Sequence, residues 1–394
     1  MKKVLLQASL IACAILLSSC DGLEIIKEKS ADSELAGTKL DLSGITTKFT
    51  KLFVLNEGGM GSNNSTLDFL RSSDATYVTG AFKKMNPTVG AGLGDVGNDV
   101  VVIGDEVWIV VNNSGIVEVI SAKDEKEIKT ISIPTPRNIT FDDTWAYVTS
   151  WAGAYAVGSY DNNWSYIITD YKNPKGCVYR INLTTKVVDS KVAEVGYQPE
   201  GIACYGGKLY VANSGGIASQ LPPAYSYDNT VSIVDVKTFT TQNEVEVVSN
   251  LKNVYSDNRG HIYVTALGDY YSVHSGLYMI DTADIGPVSK ISDYVSASAI
   301  CGDTVYWIGT DSEWDWNAQH VFKVQSAKGK TKADVAVTIE GQTPYGMAAL
   351  SDGTLIVADA GDYFNPGTVS CYSKGAKVWS VGAGVCPGHF AIWY

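Results

Sequence analysis

Aromatic side chains are concentrated in five segments of the chain, residues 151–176, 213–229, 267–276, 311–320 and 360–367. Together these segments hold 14 aromatic residues in 71 positions, whereas the chain as a whole is 10% aromatic. Tyr and Trp combine a large apolar surface with a polar group, so they suit contact with a ligand at a small cost in side-chain entropy. The aromatic residues of the five segments are Trp151, Tyr155, Tyr160, Trp164, Tyr166, Tyr171, Tyr225, Tyr227, Tyr270, Tyr271, Trp314, Trp316, Tyr363 and Phe364.

Carboxylate and amide groups lie among these rings, and Asp269 and Asp362 are the two that we predict to contact a ligand. The combination predicts a wide, apolar surface that is rich in hydrogen-bond acceptors. In the alternative interpretation, the aromatic residues pack on one another and only order long loops.

The elements that must position these segments are seven copies of a short alternating apolar run that ends in small or polar residues. A period of about 40 to 50 residues built from short strands is typical of propeller blades. We assign each run to the second strand, b, of a blade, with the inner strand a before it and strands c and d after it. Because no segment shows a helical period, the sequence predicts an all-β fold, a seven-bladed β-propeller over residues 49–394. The seven runs are 52–57, 107–112, 146–151, 209–214, 262–267, 305–310 and 355–360.

The two ends of the repeat region are complementary. The first repeat begins directly at strand b, near Leu52, and the last repeat is followed by an unmatched apolar run at 389–394. We therefore predict that the C-terminal strand completes the first blade, which would leave the ring without an open sheet edge.

The five aromatic segments all fall between strands b and c. In a propeller these loops emerge on one face, together with the d-to-a crossings between blades, and long loops in a compact domain are usually functional. From the crossings we predict that Arg137, Gln198 and Glu200 face a ligand. The alternative is that these three residues bridge adjacent blades.

The N-terminal residues have the form of a secretory leader. A charged start, Met1-Lys2-Lys3, precedes an apolar run at 4–17 that is too short to span a bilayer. Leu17-Ser18-Ser19-Cys20 looks like a bacterial lipobox, so we predict a signal peptide over 1–19 and lipidation of Cys20. An ordinary signal peptide with a chance Cys is the alternative. Residues 20–48 are polar and predict a flexible tether.

The charge and the remaining Cys and His residues limit the function classes. The net charge of −12 argues against binding of nucleic acid. The other five Cys of the mature chain are scattered, which favours buried free thiols, with one disulfide as the alternative. The four His show no HxH or HExxH spacing, so we predict no metal site of that type. These Cys and His residues are Cys177, Cys204, Cys301, Cys371, Cys386, His261, His274, His320 and His389.

Catalysis is an alternative that the sequence does not favour. It shows no nucleophile elbow and no Ser-His-Asp spacing, and it has few His residues for acid–base work. Carboxylates and amides that could converge near the axis would suit a structural Ca²⁺ or a metal-assisted lactonase or hydrolase. These residues are Glu57, Asn98, Asn138, Glu200 and Asn213.

Several motifs carry a resemblance to a known family. The segments 201–213 and 229–235, which contain Leu209-Tyr210-Val211-Ala212-Asn213, are similar to the YVTN/YncE-type propeller repeat. More narrowly, four motifs resemble the propeller lipoproteins of Bacteroidetes and, among them, the BtuG-type cobalamin-binding group. These motifs are 55–58, 94–99, 196–200 and 268–271. The resemblance implies a corrinoid ligand, cobalamin (vitamin B12), a TonB-dependent outer-membrane transporter as partner, and a lipid-anchored location on the cell surface.

The sequence therefore predicts a non-catalytic surface protein that captures a small molecule. The alternatives are glycan binding, since Trp and Tyr also stack on sugar rings, and the metal-assisted hydrolase.

Overall fold

The computed structural model describes residues 35–90, 92–162, 166–217, 219, 221, 226–309 and 321–394. Within these residues the chain forms 31 β-strands and one short helix, α1 (Ala81–Met85). None of the described helical residues forms a segment that is long and apolar enough to cross a membrane.

Apart from one separate two-stranded hairpin, the strands form seven antiparallel sheets arranged in a ring, which confirms the predicted seven-bladed β-propeller. In every blade the order from the axis outward is a, b, c, d, and the seven apolar runs are the b strands. Blade 1 has β1 (Thr38–Lys39), β2 (Lys51–Asn56), β3 (Thr66–Arg71), β4 (Thr76–Val78) and β31 (Pro387–Trp393). Blade 2 has β5 (Gly97–Ile103), β6 (Glu106–Val111), β7 (Ile116–Ser121) and β8 (Glu127–Ser132). Blade 3 has β9 (Pro136–Phe141), β10 (Trp145–Ser150), β13 (Cys177–Asn182) and β14 (Ala193–Glu194), and β11 (Tyr155–Tyr160) and β12 (Tyr166–Lys172) form a separate hairpin beside it.

The other four blades follow the same pattern. Blade 4 has β15 (Pro199–Tyr205), β16 (Lys208–Asn213), β17 (Thr230–Asp235) and β18 (Thr240–Glu246). Blade 5 has β19 (Leu251–Ser256), β20 (His261–Ala266), β21 (Gly276–Asp281) and β22 (Asp284–Asp293). Blade 6 has β23 (Val295–Cys301), β24 (Thr304–Gly309), β25 (Val321–Lys328) and β26 (Thr331–Glu340). Blade 7 has β27 (Pro344–Ala349), β28 (Leu355–Asp359), β29 (Pro366–Ser373) and β30 (Ala376–Val385).

The C-terminal strand closes the ring as predicted. Strand β31 pairs with β2 from Lys51↔Trp393 to Asn56↔Pro387, so it is the inner strand of blade 1. It also contacts the inner strands on both sides, β5 of blade 2 and β27 of blade 7. The two chain ends are thus joined by a full strand ladder, and blade 1 has no open inner edge.

The hydrophobic core is divided among the contacts between blades. Alternate residues of each b and c strand pack on the next sheet, as expected for twisted sheets stacked face to face. Leu52 and Val54 of blade 1, for example, pack with Ile356 and Val369 of blade 7. Burial of both faces explains why the b strands are nearly continuous apolar runs.

The five Cys residues of the described part of the chain are free thiols, as the sequence favoured, and Cys177, Cys371 and Cys386 are buried, whereas Cys204 and Cys301 are only partly buried. Burial raises the pKa of Cys177 and of Cys386 to about 11, so these thiols stay protonated at neutral pH.

Residues 35–48, which lie in the segment predicted to be a tether, pack on the propeller. Strand β1 pairs with β4 as a fifth strand of blade 1. Asp352 of blade 7 accepts hydrogen bonds from the backbone N–H groups of Thr46 and Thr47 at 2.5 and 2.9 Å, and Leu42 packs against the core between blades 7 and 1. The folded region therefore begins before residue 49, and this part of the tether prediction does not hold.

A buried ion pair joins blades 1 and 2 at the end of the ring away from the b–c loops. Lys51 Nζ lies 2.7 Å from Glu125 Oε1, and their side chains are 3% and 0% exposed. The same ammonium donates to the carbonyl oxygens of Ala122 and Lys123 at 3.0 and 2.6 Å.

Candidate functional site

All seven inner strands carry a β-bulge at the end where they enter the ring. In each blade the first residue of strand a pairs with the last residue of strand b, and the register shifts directly afterwards. A bulge changes the direction of the side chains next to it, and bulges are common at the rims of closed folds. In six of the blades, the residue before the inner strand also has a positive φ, between 40° and 66°. These residues are Val96, Thr135, Gln198, Asn250, Tyr294 and Cys386.

The bulges place seven equivalent residues around the axis, one from each blade. We call this set the mouth ring. It lies at the face that carries the b–c loops, because strands a begin and strands b end there. Its members, from blade 1 to blade 7, are Gly388, Asn98, Arg137, Glu200, Lys252, Ser296 and Tyr345.

The long b–c loops and the crossings share this face, as predicted. Tyr363 in the loop of blade 7 accepts a hydrogen bond from the thiol of Cys386, in the crossing to blade 1, at 3.4 Å. Asp228 in the loop of blade 4 accepts one from the backbone N–H of Tyr197, in the crossing from blade 3, at 3.0 Å. The crossings therefore hold the loops at the mouth.

Arg137 and Glu200 form an ion pair between blades 3 and 4. Arg137 donates through Nε and Nη2 to Glu200 Oε2, at 2.9 Å for both contacts. The ring of Trp151 lies 4.6 Å from the guanidinium carbon, within the range of a cation–π contact. Burial raises the pKa of Glu200 and the guanidinium opposes this effect, so the pair is enclosed by protein although it lies at the mouth.

A second polar cluster joins blades 1 and 7. His389 Nε2 lies 2.9 Å from Glu57 Oε1, and the hydroxyl of Tyr345 donates to Glu57 Oε2 at 2.8 Å. Burial by itself would raise the pKa of Glu57, but His389, the charge of Lys252 and the hydrogen bond from Tyr345 together outweigh it, and the pKa is lowered. Both oxygens of this carboxylate are therefore occupied by donors of the protein.

Asp99 is a third acidic group on the inner surface. Its carboxylate accepts hydrogen bonds from the backbone N–H of Ile139 at 2.9 Å and from the side chain of Asn138 at 3.2 Å. Burial raises its pKa, while His389 and these N–H groups act in the opposite direction. Solvent reaches Asp99 from the axial channel, and protein surrounds it on its other sides. Burial therefore has a strong effect on its pKa although the side chain is partly exposed.

The axial channel has a volume of about 730 Å³ and is lined by the inner strands of all seven blades. Ligand pockets for small molecules are commonly about 300–1,000 Å³. The channel therefore has room for part of a small molecule that enters through the mouth ring.

Two b–c loops above the mouth share one design. In blade 5 the segment Gly268-Asp269-Tyr270-Tyr271 follows strand b, and in blade 7 the segment Gly361-Asp362-Tyr363-Phe364 does the same. We call these the twin loops. In both loops the first aromatic residue has a positive φ, 64° at Tyr270 and 67° at Tyr363.

The Asp residues of the twin loops bind their own backbone. Asp269 Oδ1 accepts the N–H groups of Tyr271, Ser272 and Val273 at 2.7–2.9 Å. Asp362 Oδ1 accepts those of residues 364 and 365 at 2.9 and 2.8 Å. The hydrogen bond from the Val273 N–H, followed by those from Tyr271 and Ser272, holds the pKa of Asp269 well below its usual range. These hydrogen bonds give Asp269 and Asp362 a positioning role in their own loops, and contact of either residue with a ligand stays a prediction.

The rings of the twin loops follow one arrangement. The first ring of each loop leans edge-on against a neighbour, Tyr270 on Tyr227 at 6.3 Å and Tyr363 on Tyr345 at 5.7 Å between ring centres. In both loops the second ring projects into solvent, and Tyr271 is 91% exposed and Phe364 is 87% exposed. Tyr270 and Tyr363 also interact electrostatically, so the two loops approach each other near the mouth.

The aromatic residues of blade 3 are arranged differently. Tyr155 and Tyr160 lie on the β11–β12 hairpin and are exposed, and the Tyr155 hydroxyl donates to Asp170 at 3.0 Å. Trp151 packs against a small core formed with the loop of blade 4. The alternative that aromatic residues order the loops therefore holds for Trp151, and not for the exposed rings of the twin loops.

Other predicted site residues are placed elsewhere. Gln198 is fully buried and its side-chain amide donates to Asn173 at 2.8 Å, so its prediction as a ligand contact is wrong. Asn213 is also fully buried and donates to Thr230 and Ser232, which removes it from the proposed axial convergence. In the described part of the chain, no group of three or more His, Cys, Asp or Glu side chains could hold a metal ion.

Several predictions lie outside the described residues. These are the ligand contacts Trp164, Tyr225, Trp314 and Trp316, the side chain of Tyr166, and the lipidation of Cys20.

Three residues of the site, Lys252, Tyr345 and His389, were not predicted from the sequence. Each is a polar residue near the beginning of an inner strand. That position is the only signal in the sequence, and it becomes informative once the seven inner strands are aligned at their bulges.

The fold defines the class of this protein, a seven-bladed β-propeller. No protein-family model matches the chain, and none of the curated proteins compared with it matches. Among solved structures it is similar to hydrazine synthase of Kuenenia stuttgartiensis, with 14% identity, a TM-score of 0.55 and coverage of 74% of this chain and 88% of that chain. A nidogen/laminin complex is more distant, with 11% identity, a TM-score of 0.42 and coverage of 71% and 95%. The first likeness indicates a shared fold and nothing about the ligand.

Proposed function

We propose that this propeller is a non-catalytic binding protein that captures a small molecule, cobalamin, on the face that carries the mouth ring. The observation that carries the proposal is the pair of rings on the twin loops. Tyr271 and Phe364 are 91% and 87% exposed, so they contribute almost nothing to packing of the fold. Large apolar groups collected on one face of a soluble domain are typical of an interaction site.

The twin loops are held by hydrogen bonds within the loops themselves. The carboxylates of Asp269 and Asp362 fix the backbone on which the exposed rings stand. A loop that is already in its bound conformation loses little entropy on binding, which favours tight association.

A corrinoid fits the chemistry of this face. It has a broad, largely apolar ring system with amide arms around its edge, so it needs flat apolar contacts and hydrogen-bonding groups close together. The twin loops supply the first, and polar residues of the mouth ring that line the channel, Lys252 and Ser296, supply the second. The resemblance of segments 94–99 and 268–271 to the BtuG-type lipoproteins supports the same ligand.

The cellular role follows from the predicted lipid anchor. Acylation of Cys20 would hold the propeller at the outer membrane. In our proposal the protein is exposed at the cell surface, captures the corrinoid there and passes it to a TonB-dependent outer-membrane transporter.

Calorimetric titration with cyanocobalamin tests the proposal. If each exposed ring covers roughly 80 Å² of ligand, its removal costs about 2 kcal/mol, or about 30-fold in affinity. We expect Tyr271→Ala and Phe364→Ala each to weaken binding by this factor, with unchanged thermal stability. The matched control is Tyr394→Ala, because Tyr394 is 69% exposed but follows the end of β31 on the opposite face. Absence of heat with the unmodified protein at micromolar concentration would refute cobalamin as the ligand.

The same exposed rings would also stack on sugars, which keeps glycan binding as the second candidate. A glycan panel titrated in parallel separates the two ligands. Binding of a glycan, with loss on Tyr271→Ala and no response to cyanocobalamin, would assign the face to carbohydrate.

A further inference from the structure

Lys252 is the one member of the mouth ring with an ammonium group, and it lies between Glu200 of blade 4 and Ser296 of blade 6. Ser296 is small and its hydroxyl donates to the carbonyl of Ile308 at 3.1 Å. The lysine side chain extends past it, so that Nζ lies 5.3 Å from the ring centre of Tyr345. Lys252 is partly buried and lines the axial channel.

Lys252 Nζ makes no hydrogen bond and no ion pair with any residue of the described ranges. The two nearby carboxylates, Glu57 and Glu200, feel its charge at longer range. Both are already engaged, Glu57 by His389 and Tyr345 and Glu200 by Arg137. Neither carboxylate comes within hydrogen-bonding distance of Nζ, so the ammonium keeps three N–H groups available to a further acceptor.

Lys252 is a partly buried ammonium whose direct contact among the described residues is an aromatic face, with two carboxylates at longer range, and this is an unusual arrangement. Removing a charge from water costs free energy unless a partner of opposite charge is supplied. At this mouth Arg137 pairs with Glu200, and both oxygens of Glu57 accept hydrogen bonds from His389 and Tyr345. A ligand with an anionic oxygen would supply Lys252 Nζ with a partner of opposite charge.

We infer that Lys252 is an anion-binding point, where a carboxylate or phosphate group of the ligand enters the channel through the mouth ring. Lysine is a common binder of phosphate, and N⁺–H···O⁻ hydrogen bonds are among the strongest in proteins. The channel, of about 730 Å³, has room for such a group below the twin loops. The inference rests on the proposed function only in placing the ligand on this face, since it requires no particular ligand body.

Thermal denaturation in inorganic phosphate, at constant ionic strength with chloride as the reference anion, tests the inference. A ligand that binds only the folded state raises its stability with concentration. We expect phosphate to stabilise the full chain and Lys252→Arg. Lys252→Met should bind phosphate at least about tenfold more weakly. The control is Lys175→Met, because Lys175 precedes strand c of blade 3 on the same face and is 49% exposed. It should respond as the unmodified protein does.

Chemical acetylation followed by mass spectrometry gives a second readout that needs no variant. Phosphate should slow the acetylation of Lys252 and leave the rate at Lys175 unchanged. Equal protection of both lysines, no protection of either, or full stabilisation of Lys252→Met by phosphate would overturn the inference.

The outcomes also separate this inference from the proposed function. If phosphate protects Lys252 while cyanocobalamin gives no heat, cobalamin is wrong as the ligand and the anion-binding point stands. If cyanocobalamin binds and phosphate protects nothing, the proposed function stands and this inference fails.

Discussion

Replacing Lys51 with Met should be among the most destabilising single changes in the propeller. The ammonium of Lys51 is 3% exposed, donates to two carbonyl oxygens of blade 2 and pairs with Glu125 at 2.7 Å. Met retains most of the apolar stem and removes the charge. The carboxylate of Glu125, which is 0% exposed, would then lack the cation that compensates its burial.

The expected loss is about 3–5 kcal/mol in the free energy of unfolding, the range found when one partner of a buried ion pair is removed. Two further contacts are lost, since Nζ lies 4.9 Å from the ring centre of Phe69 and 5.8 Å from that of Trp393. Because Trp393 belongs to the closing strand β31, the same change weakens the seam of the ring.

Urea denaturation followed by tryptophan fluorescence measures this loss. The matched control is Lys39→Met, because the Lys39–Asp74 pair has a similar distance, 2.9 Å, but side chains that are 66% and 41% exposed. An exposed pair contributes about 0–1 kcal/mol, so the control should differ little from the unmodified protein.

A double variant, Lys51→Met with Glu125→Gln, should recover much of the lost stability, because no unpaired charge stays buried. Equal effects of Lys51→Met and Lys39→Met would refute the argument, since burial would then make no difference to the value of the pair.

Three other predictions follow from the same structure. Deletion of residues 387–394 removes the inner strand of blade 1, so the melting temperature should fall strongly, and an unchanged midpoint in circular dichroism would contradict the closure. Burial raises the pKa of Glu118 from 4.5 to about 7, so its contribution to stability falls as the pH rises through this interval. Glu118→Gln should therefore be more stable than the unmodified protein by about 3 kcal/mol at about pH 8, and equal to it near pH 4, in denaturation curves at both pH values. A Cβ on Gly268 would lie 1.9 Å from the carbonyl oxygen of Val273, whereas one on Gly361 would find its nearest contact at 3.7 Å. Gly268→Ala should thus increase proteolytic cleavage of the blade 5 loop more than Gly361→Ala increases cleavage of the blade 7 loop. Both glycines have a positive φ, so the backbone strain of the two substitutions is matched. Equal cleavage of the two variants would argue against the clash.

The propeller itself was predictable because its signals are local. The b strands are apolar over their whole length since they are buried on both faces, and Gly and Asp turns separate them at a regular spacing. The run at 389–394 had no partner within its own repeat, so pairing with the strand near Leu52 was the one arrangement that left no edge.

The candidate site was predictable only in outline. Its face follows from the topology of a four-stranded meander, and the exposed rings Tyr271 and Phe364 were among the predicted residues. The role of Asp269 was not predictable, because the direction of its hydrogen bonds depends on a backbone with Tyr270 at a positive φ. The burial of Gln198 likewise depends on how a crossing packs against the next loop.

The sequence by itself determined the strands, their number and the face on which the loops collect, since each depends on patterns within about one repeat. The tertiary structure alone decided which polar groups meet at the axis. Glu57, Tyr345 and His389 are separated by up to 332 residues in the chain and come into contact only because the ring closes. A bulge in each inner strand then turns Lys252 and its equivalents toward the mouth, and no pattern of neighbouring residues specifies that direction.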